Sequence, residues 1–255
     1  MAEKVRKFQG KVALVTGASS GIGRATACAL AREGARLVVS GRNQERGEET
    51  VERITAAGGE AIFIKAEVSN AAEVEAIVTA AVTTYGRLDC AVNAAGVGLF
   101  ANTVDCLERK WNRVLSVNLK GTWLCMKYEI PQLLKVGGGA IVNLSSITGV
   151  TGVANMPAYS ASKHAIIGLT KTAALEYAKS GIRVNAVCPG SMKTPMQDSV
   201  IGGNPEAEAE LGATHPIGRM GTAEEAAEAI VWLCSDAASF VTGHAMMVDG
   251  GYAAQ

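Results

Sequence analysis

The sequence predicts an α/β fold, a doubly wound parallel sheet of about seven strands with helices on both faces, and three observations lead to it. Short apolar runs alternate with longer stretches of helical period along all 255 residues. The runs are almost continuously apolar, as strands covered on both faces must be. A glycine-rich turn follows the first run and opens the first helical stretch. The composition is 48% hydrophobic and 19% charged, which excludes a disordered chain and suits a single domain over 1–255.

The elements follow in order. The first strand is expected at 11–16 and its helix at 22–33, closed by Gly34. A strand at 36–40 leads to a helix at 43–57 closed by Gly58, and a strand at 61–65 to a helix at 71–84 with Asn70 as N-cap and Gly86 beyond its end. The fourth strand, 88–93, precedes two helices at about 104–118 and 120–135. A strand at 139–145, a helix at 158–179 and a strand at 182–188 come next. Residues 191–220 then break the rhythm with prolines, glycines and an acidic cluster (Glu206, Glu208, Glu210), which predicts an irregular substrate loop or lid. A helix at 222–235, capped by Thr222, and a strand at 245–248 close the sequence.

Composition also removes several functions. Lys+Arg and Asp+Glu both number 24, so the basic excess of a nucleic-acid binder is missing. The start, Met1 to Lys7, has no apolar segment of a secretory signal, and the longest uncharged stretch, Val136 to Ser162, is too rich in Gly, Ser, Thr and Asn to span a membrane. Cys28, Cys90, Cys106, Cys125, Cys188 and Cys234 form no CxxC pair, so they read as reduced thiols of a cytoplasmic protein. His164, His215 and His244 share no metal-ligand spacing, and no metal is expected.

The glycine turn, Thr16 to Gly23, has the pattern G-x-x-x-G-x-G at Gly17, Gly21 and Gly23. Between a strand and a helix, such glycines give a tight turn, a close approach to a pyrophosphate and close helix packing, and the helix N-terminus offers free N–H groups to the anion. An NAD-selective fold places an acid at the end of the second strand; here Gly41 stands there and Arg42 follows. A guanidinium can pair with a 2′-phosphate, so NADP(H) is expected over NAD(H), with NAD(H) use left open. Tyr159 and Lys163 stand one helical turn apart and share a face, where an ammonium would lower the phenol's pKa. Ser146 ends the fifth strand, at the edge where open α/β sheets place ligands.

Together these segments closely resemble the short-chain dehydrogenase/reductase family, a Rossmann-like fold. The matching residues are TGASSGIG (16–23), NAAG (93–96), Asn118 in SVNLKG, Ser146 in NLSSITG, YSASK (159–163), Pro189-Gly190 with Thr194, and VTG…VDGG (241–251). The resemblance covers essentially the whole chain. It implies that Tyr159 is the general acid/base, that Lys163 lowers its pKa and holds the nicotinamide ribose, that Ser146 orients the substrate oxygen, and that Asn118 anchors a proton relay. It further implies cofactor contacts from Ser19, Ser20 and Ile22, from Glu67 and Val68 by the adenine, from Asn93, Ala94 and Gly96 along the ribose, and from Pro189, Gly190, Met192 and Thr194 around the carboxamide. Two residues depart from the family pattern: Ala94 replaces an Asn and Glu67 an Asp.

The implied activity is hydride transfer between a nicotinamide cofactor and a small carbonyl or secondary alcohol. One alternative is a 3-oxoacyl-acyl carrier protein reductase, although Gly137 and Ser180 stand where those relatives carry docking arginines. Another is a dinucleotide-binding regulator without turnover. The substrate walls are expected at Val97 to Phe100, Thr148 to Asn155 and 191–217, with Phe100, Met156, Met192 and Met196 as apolar contacts. Small residues on helix 158–179, together with the resemblance, imply a homotetramer.

Overall fold

The computed structural model describes residues 6–255; the reading of Met1 to Val5 as lacking a signal lies outside the described residues. The chain runs β1 (Val12–Thr16), α1 (Gly21–Arg32), β2 (Arg36–Gly41), α2 (Gln44–Ala56), β3 (Glu60–Lys65), α3 (Ala71–Tyr85) and β4 (Cys90–Asn93). There follow α4 (Glu108–Val114), a π-helical turn (Leu115–Lys120), α5 (Gly121–Lys135), β5 (Gly139–Leu144), a 3-10 turn (Ile147–Gly149), α6 (Pro157–Tyr177) and β6 (Ile182–Pro189). The last part comprises β7 (Met192–Lys193), α7 (Pro195–Ile201), α8 (Pro205–Ala213), β8 (Gly221–Thr222), α9 (Ala223–Cys234) and β9 (Ala245–Val248).

Seven strands form one sheet in the order β3-β2-β1-β4-β5-β6-β9, every pair parallel, and β7 pairs with β8 apart from it. Successive side chains of a strand point to opposite faces. On β1, Ala13 and Val15 join a core with Leu30 of α1, Leu37 of β2 and Ile230 of α9. Val12 and Leu14 join the other core with Ile77 of α3, Leu133 of α5 and Ile141 of β5. Both faces are therefore apolar and covered, which explains the near-continuous hydrophobic runs of the strands.

Local chemistry sets the helix ends. The Asn70 side chain accepts from the Ala72 N–H, and Gly86 closes α3 with φ at 80°. Thr222 and Glu225 form a reciprocal capping box at the start of α9. Two expectations need correction. The helix expected at 104–118 begins only at Glu108, because the Asn102 side chain accepts from the Val104 and Asp105 amides and holds that stretch as a turn. The region 191–220 is not irregular: Thr194 and Asn204 cap two short helices whose first residues are Pro195 and Pro205. Proline is tolerated at a first helical position, where its missing N–H costs nothing.

A polar network crosses the apolar core beneath β4 and β5. The Asn93 amide donates to Glu129 Oε2 at 3.1 Å and to Asn143 Oδ1 at 3.0 Å, and the Asn143 amide donates to Thr170 Oγ1 at 2.9 Å. Glu129 is fully buried and its Oε1 has no partner among the described residues. Burial pushes its carboxyl up to about 8, against the pull of the Asn93 amide. The native carboxyl thus keeps its proton to about pH 8, whereas an unfolded one releases it above about pH 4.3. Between these values the native state binds more protons, so stability should fall as pH rises, by up to ~1.4 kcal/mol per pH unit. Denaturant unfolding of Glu129→Gln should show a shallower decline from pH 5.5 to 7.5 than the wild type; equal slopes would contradict this assignment.

Candidate active site

Strand β1 lies between β2 and β4, and the chain leaves β1 and β4 for opposite faces of the sheet. A crevice must open there at the carboxyl ends of the strands. It is a cleft of about 670 Å³, bordered by the turn after β1, the ends of β2 to β6, the start of α6, and residues of α7, α8 and the C-terminal tail.

The turn after β1 forms one wall. Gly17 has φ at 68°, and a Cβ there would lie 2.7 Å from the Ala95 amide nitrogen. A Cβ on Gly23 would lie 2.4 Å from the Gly17 carbonyl oxygen, so the helix start sits directly on the turn. Ser20 caps α1 without a side-chain hydrogen bond, which leaves the first amides of the helix directed at the cleft. This close-packed, amide-lined cradle fits a dinucleotide diphosphate.

Gly41, Arg42, Glu67 and Val68 line the end of the cleft formed by β2 and β3. Arg42 Nη1 stands 3.7 Å from Glu67 Oε2, and Arg113 Nη2, from α4, stands 2.6 Å from the same oxygen. Burial raises the Glu67 carboxyl, but the Arg113 hydrogen bond, the Ser69 amide and the two guanidinium charges prevail and hold it below the usual range.

Ser146, Tyr159 and Lys163 meet at the centre. Ser146 ends the extended backbone after β5, and its Oγ accepts from the Thr148 amide at 3.2 Å. Lys163 is buried, donates to the Leu144 carbonyl at 2.6 Å, and stands with Nζ 5.4 Å from the Tyr159 ring centroid. The Ser145 hydroxyl donates to the Lys163 carbonyl at 2.9 Å, tying α6 to the end of β5. Burial pushes the ammonium of Lys163 down to about 8. The expected lowering of the Tyr159 phenol is reversed: burial pushes it up to about 12, with the Ser146 hydrogen bond pulling the other way.

All the expected cofactor residues line the cleft except Asn93, and all the expected catalytic residues except Asn118. Asn93 points into the buried Glu129 network, which leaves its side chain no part in a ribose contact. Ala94 packs its methyl against the core, so the departure there places no polar group in the cleft. Asn118 lies just behind the wall on the π-helical turn: its Oδ1 accepts from the Val97 amide at 2.9 Å, and its Nδ2 donates to the Val97 carbonyl at 3.0 Å and to Ser162 Oγ at 3.1 Å. It clamps the backbone that flanks Lys163.

Phe100, Met156, Met192 and Met196 line the substrate end, as expected, joined by Val200, Leu211, Thr214 and Tyr252. Tyr252 belongs to the C-terminal tail, and Arg113 to a helix remote in sequence; neither carries a local motif. Among the described residues lining the cleft, the charged ones are Arg42, Glu67 and Lys163. No group of three or more His, Cys, Asp and Glu residues able to hold a metal occurs among the described residues.

A family model described as enoyl-(acyl carrier protein) reductase matches residues 17–253. The chain is 47% identical over 247 residues to a cyclohexanol dehydrogenase from Acinetobacter sp. (strain SE19), covering 96% of each. It superposes on a crystal structure of levodione reductase with a TM-score of 0.94 at 37% identity, covering 97% of this chain and 99% of that one. An actinorhodin polyketide ketoreductase variant with NADPH superposes with a TM-score of 0.93 at 39% identity, covering 96% and 98%.

Tyr159→Phe keeps the ring and removes the phenol. A positioned acid or base is worth roughly 10²–10⁴ in rate, so turnover of an alcohol or ketone should fall by that much while cofactor affinity changes little. Near-normal steady-state turnover in the purified variant would remove Tyr159 from the chemistry.

Proposed function

The chain belongs to the short-chain dehydrogenase/reductase family, oxidoreductases of alcohols and ketones, and from that premise we propose that it is an NADP(H)-dependent enzyme that interconverts an uncharged alicyclic ketone and its secondary alcohol. Membership in an enzyme family acting on CH–OH groups disposes of the regulator without turnover. The observation that carries the finer reading is the pairing of the Ser146–Tyr159–Lys163 centre with a substrate end lined by no charged side chain among the described residues.

Ser146 holds the substrate oxygen, and Tyr159 gives it a proton during reduction and takes one back during oxidation. Lys163, fixed by the Leu144 carbonyl, keeps a positive charge against the phenol ring and the ribose side of the cleft. When bound, the nicotinamide gives or takes the hydride. The apolar walls exclude water from the reacting oxygen, which strengthens each of these polar contacts. Cyclohexanol, named for the 47% identical relative, is a ring of the kind such walls accept. An acyl carrier is the weaker reading, since Gly137 and Ser180 supply no docking charge, although Lys135 and Lys179 lie beside them.

Assembly as a homotetramer is supported by an apolar groove between Leu115, Leu119, Trp123 and Leu169, and by the fully exposed Phe240. Among the described residues no helix is long and apolar enough to cross a membrane, and the six cysteines are free thiols, which suits a cytoplasmic enzyme.

With NADPH, cyclohexanone should be reduced, and a cyclohexanone bearing a carboxylate should show a kcat/KM lower by about tenfold or more, because its charge would be buried without a partner. Preference for the carboxylate would overturn the uncharged-substrate reading.

Arg42 carries the cofactor preference. A Cβ on Gly41 would press to 2.9 Å of Ser19 Oγ, so an acid there would disturb the phosphate turn as well as repel a 2′-phosphate. Arg42 is 59% exposed and already faces Glu67, which places its contribution at the low end of a charge-assisted bond, about 1.5 kcal/mol or tenfold. Arg42→Ala should lower kcat/KM for NADPH by about that factor and leave NADH nearly unchanged. A wild type that prefers NADH would show that Arg42 serves Glu67 alone.

A further inference from the structure

His215 lies just outside the cleft, yet it joins three of its walls. The ring is 2% exposed. Its Nε2 accepts from the Ser191 amide at 3.0 Å, which puts the ring proton on Nδ1. Nδ1 lies 3.1 Å from the Leu211 carbonyl and 3.1 Å from Thr214 Oγ1, whose own hydroxyl donates to Leu211 at 2.7 Å. The ring face meets Tyr252 with centroids 5.3 Å apart. Gly190, Ser191, Leu211, Thr214 and Tyr252 all line the cleft. The approach is close enough to require glycine at 190, where a Cβ would lie 2.7 Å from His215 Nε2.

We propose that His215, as the neutral Nδ1–H tautomer, is a positioning residue that bolts the Gly190–Ser191 loop to the end of α8 and to the C-terminal tail, and so sets the distance between the cofactor floor and the substrate roof. This rests on the reductase reading of the same cleft. The loop after β6 has few other means of fixing its height. Gly190 donates to the Val248 carbonyl at 3.0 Å and the Ser191 carbonyl accepts from Gly221 at 3.0 Å, bonds that tie it to β9 and β8, and two residues on an exposed ion pair of Lys193 with Glu208 is the other link to α8. The roof is built from short helices and the tail, which share no strand with the sheet. An imidazole suits the junction because it offers an acceptor and a donor on opposite sides of one rigid ring. The two bonds it makes run to segments twenty residues apart in the chain order, at Ser191 and Leu211. Reacting atoms misplaced by a fraction of an ångström lose rate steeply, so a group that never touches substrate can govern kcat.

The test compares His215→Gln, which can keep an acceptor for the Ser191 amide, with His215→Asn, which is too short to do so, and with His215→Leu. Two readouts are taken: amide hydrogen exchange of Ser191 by NMR in the absence of substrate, and kcat and KM for ketone reduction normalised to cofactor-binding sites. In the asparagine and leucine variants, exchange at Ser191 should quicken by about tenfold or more, the ratio for one ordinary hydrogen bond. Their kcat should fall by at least as much, with KM less affected, while glutamine, which keeps the Ser191 acceptor but loses the Leu211 donor, holds Ser191 exchange near wild type and loses less kcat than asparagine. Should leucine fail to fold, the glutamine and asparagine pair decides. Unchanged Ser191 exchange in the asparagine variant, or equal loss in glutamine and asparagine, would overturn the proposal. A wild type that reduces no ketone would sink the reductase reading instead, and the exchange comparison would still decide the role of His215.

Discussion

The rest of the molecule depends on the contact between the turn after β1 and the backbone after β4. These strands are neighbours whose following chains depart to opposite faces, so a crevice opens at their carboxyl ends. A side chain at 17 would collide with the Ala94–Ala95 backbone, and one at 23 with the turn itself. The cradle therefore exists only because two side chains are absent. Once the turn is seated, α1 is aimed with its free amides at the cleft, β2 delivers Arg42 to the cleft's edge, and β5 delivers Ser146 opposite. None of this needs a charged residue in the cradle, which is why neutral composition and anion binding are compatible in this chain.

The centre obeys a different constraint, the cost of placing a charge in an apolar interior. Lys163 is buried, and burial drives its ammonium toward neutrality. Its ammonium donates to a carbonyl at 2.6 Å and lies over the π-face of Tyr159. Each of these partners is fixed in turn by something rigid: Leu144 by the central sheet, Tyr159 by the first turn of a long helix, and the flanking Val97 backbone by both polar atoms of the Asn118 amide. The π-helical turn inserts one residue's worth of extra backbone at Asn118, turning its side chain toward Val97 in a helix that otherwise continues unbroken into α5. The same desolvation that lowers Lys163 raises Tyr159.

What could be read from the sequence was what local spacing encodes. The glycine turn, the one-turn separation of Tyr159 and Lys163, and the apolar strand runs all depend on neighbours within a few residues. Strand membership does not say which way the Asn93 side chain leaves; it enters the Glu129 network, while the backbone after it faces the cleft. The short helices after Thr194 and Asn204 carried readable caps, but their prolines look like breakers unless placed at the first helical position. Arg113, His215 and Tyr252 were hidden for a stronger reason, since each reaches the cleft or its wall through a contact made by residues far apart in the chain. The sign of the Tyr159 shift was equally unreadable, because it is set by depth of burial against nearby polar groups, and depth is a property of the packed whole.

These constraints divide the cleft into two parts with different tolerance for change. The Ser146–Tyr159–Lys163 centre is built on β5 and α6, whose neighbours form the two main cores; a shift there must propagate through close-packed side chains. The substrate roof is built on α7, α8 and the tail, and is joined to the rest by a few polar links, such as the ion pair of Lys193 with Glu208 and the bonds of His215. Met196, Val200 and Leu211 stand on α7 and α8, apart from the strands that hold Ser146 and the helix that holds Tyr159. A change in the polar links acts otherwise, since it moves the roof relative to an unaltered centre. The lining of the roof and its placement over the centre are accordingly set by different residues.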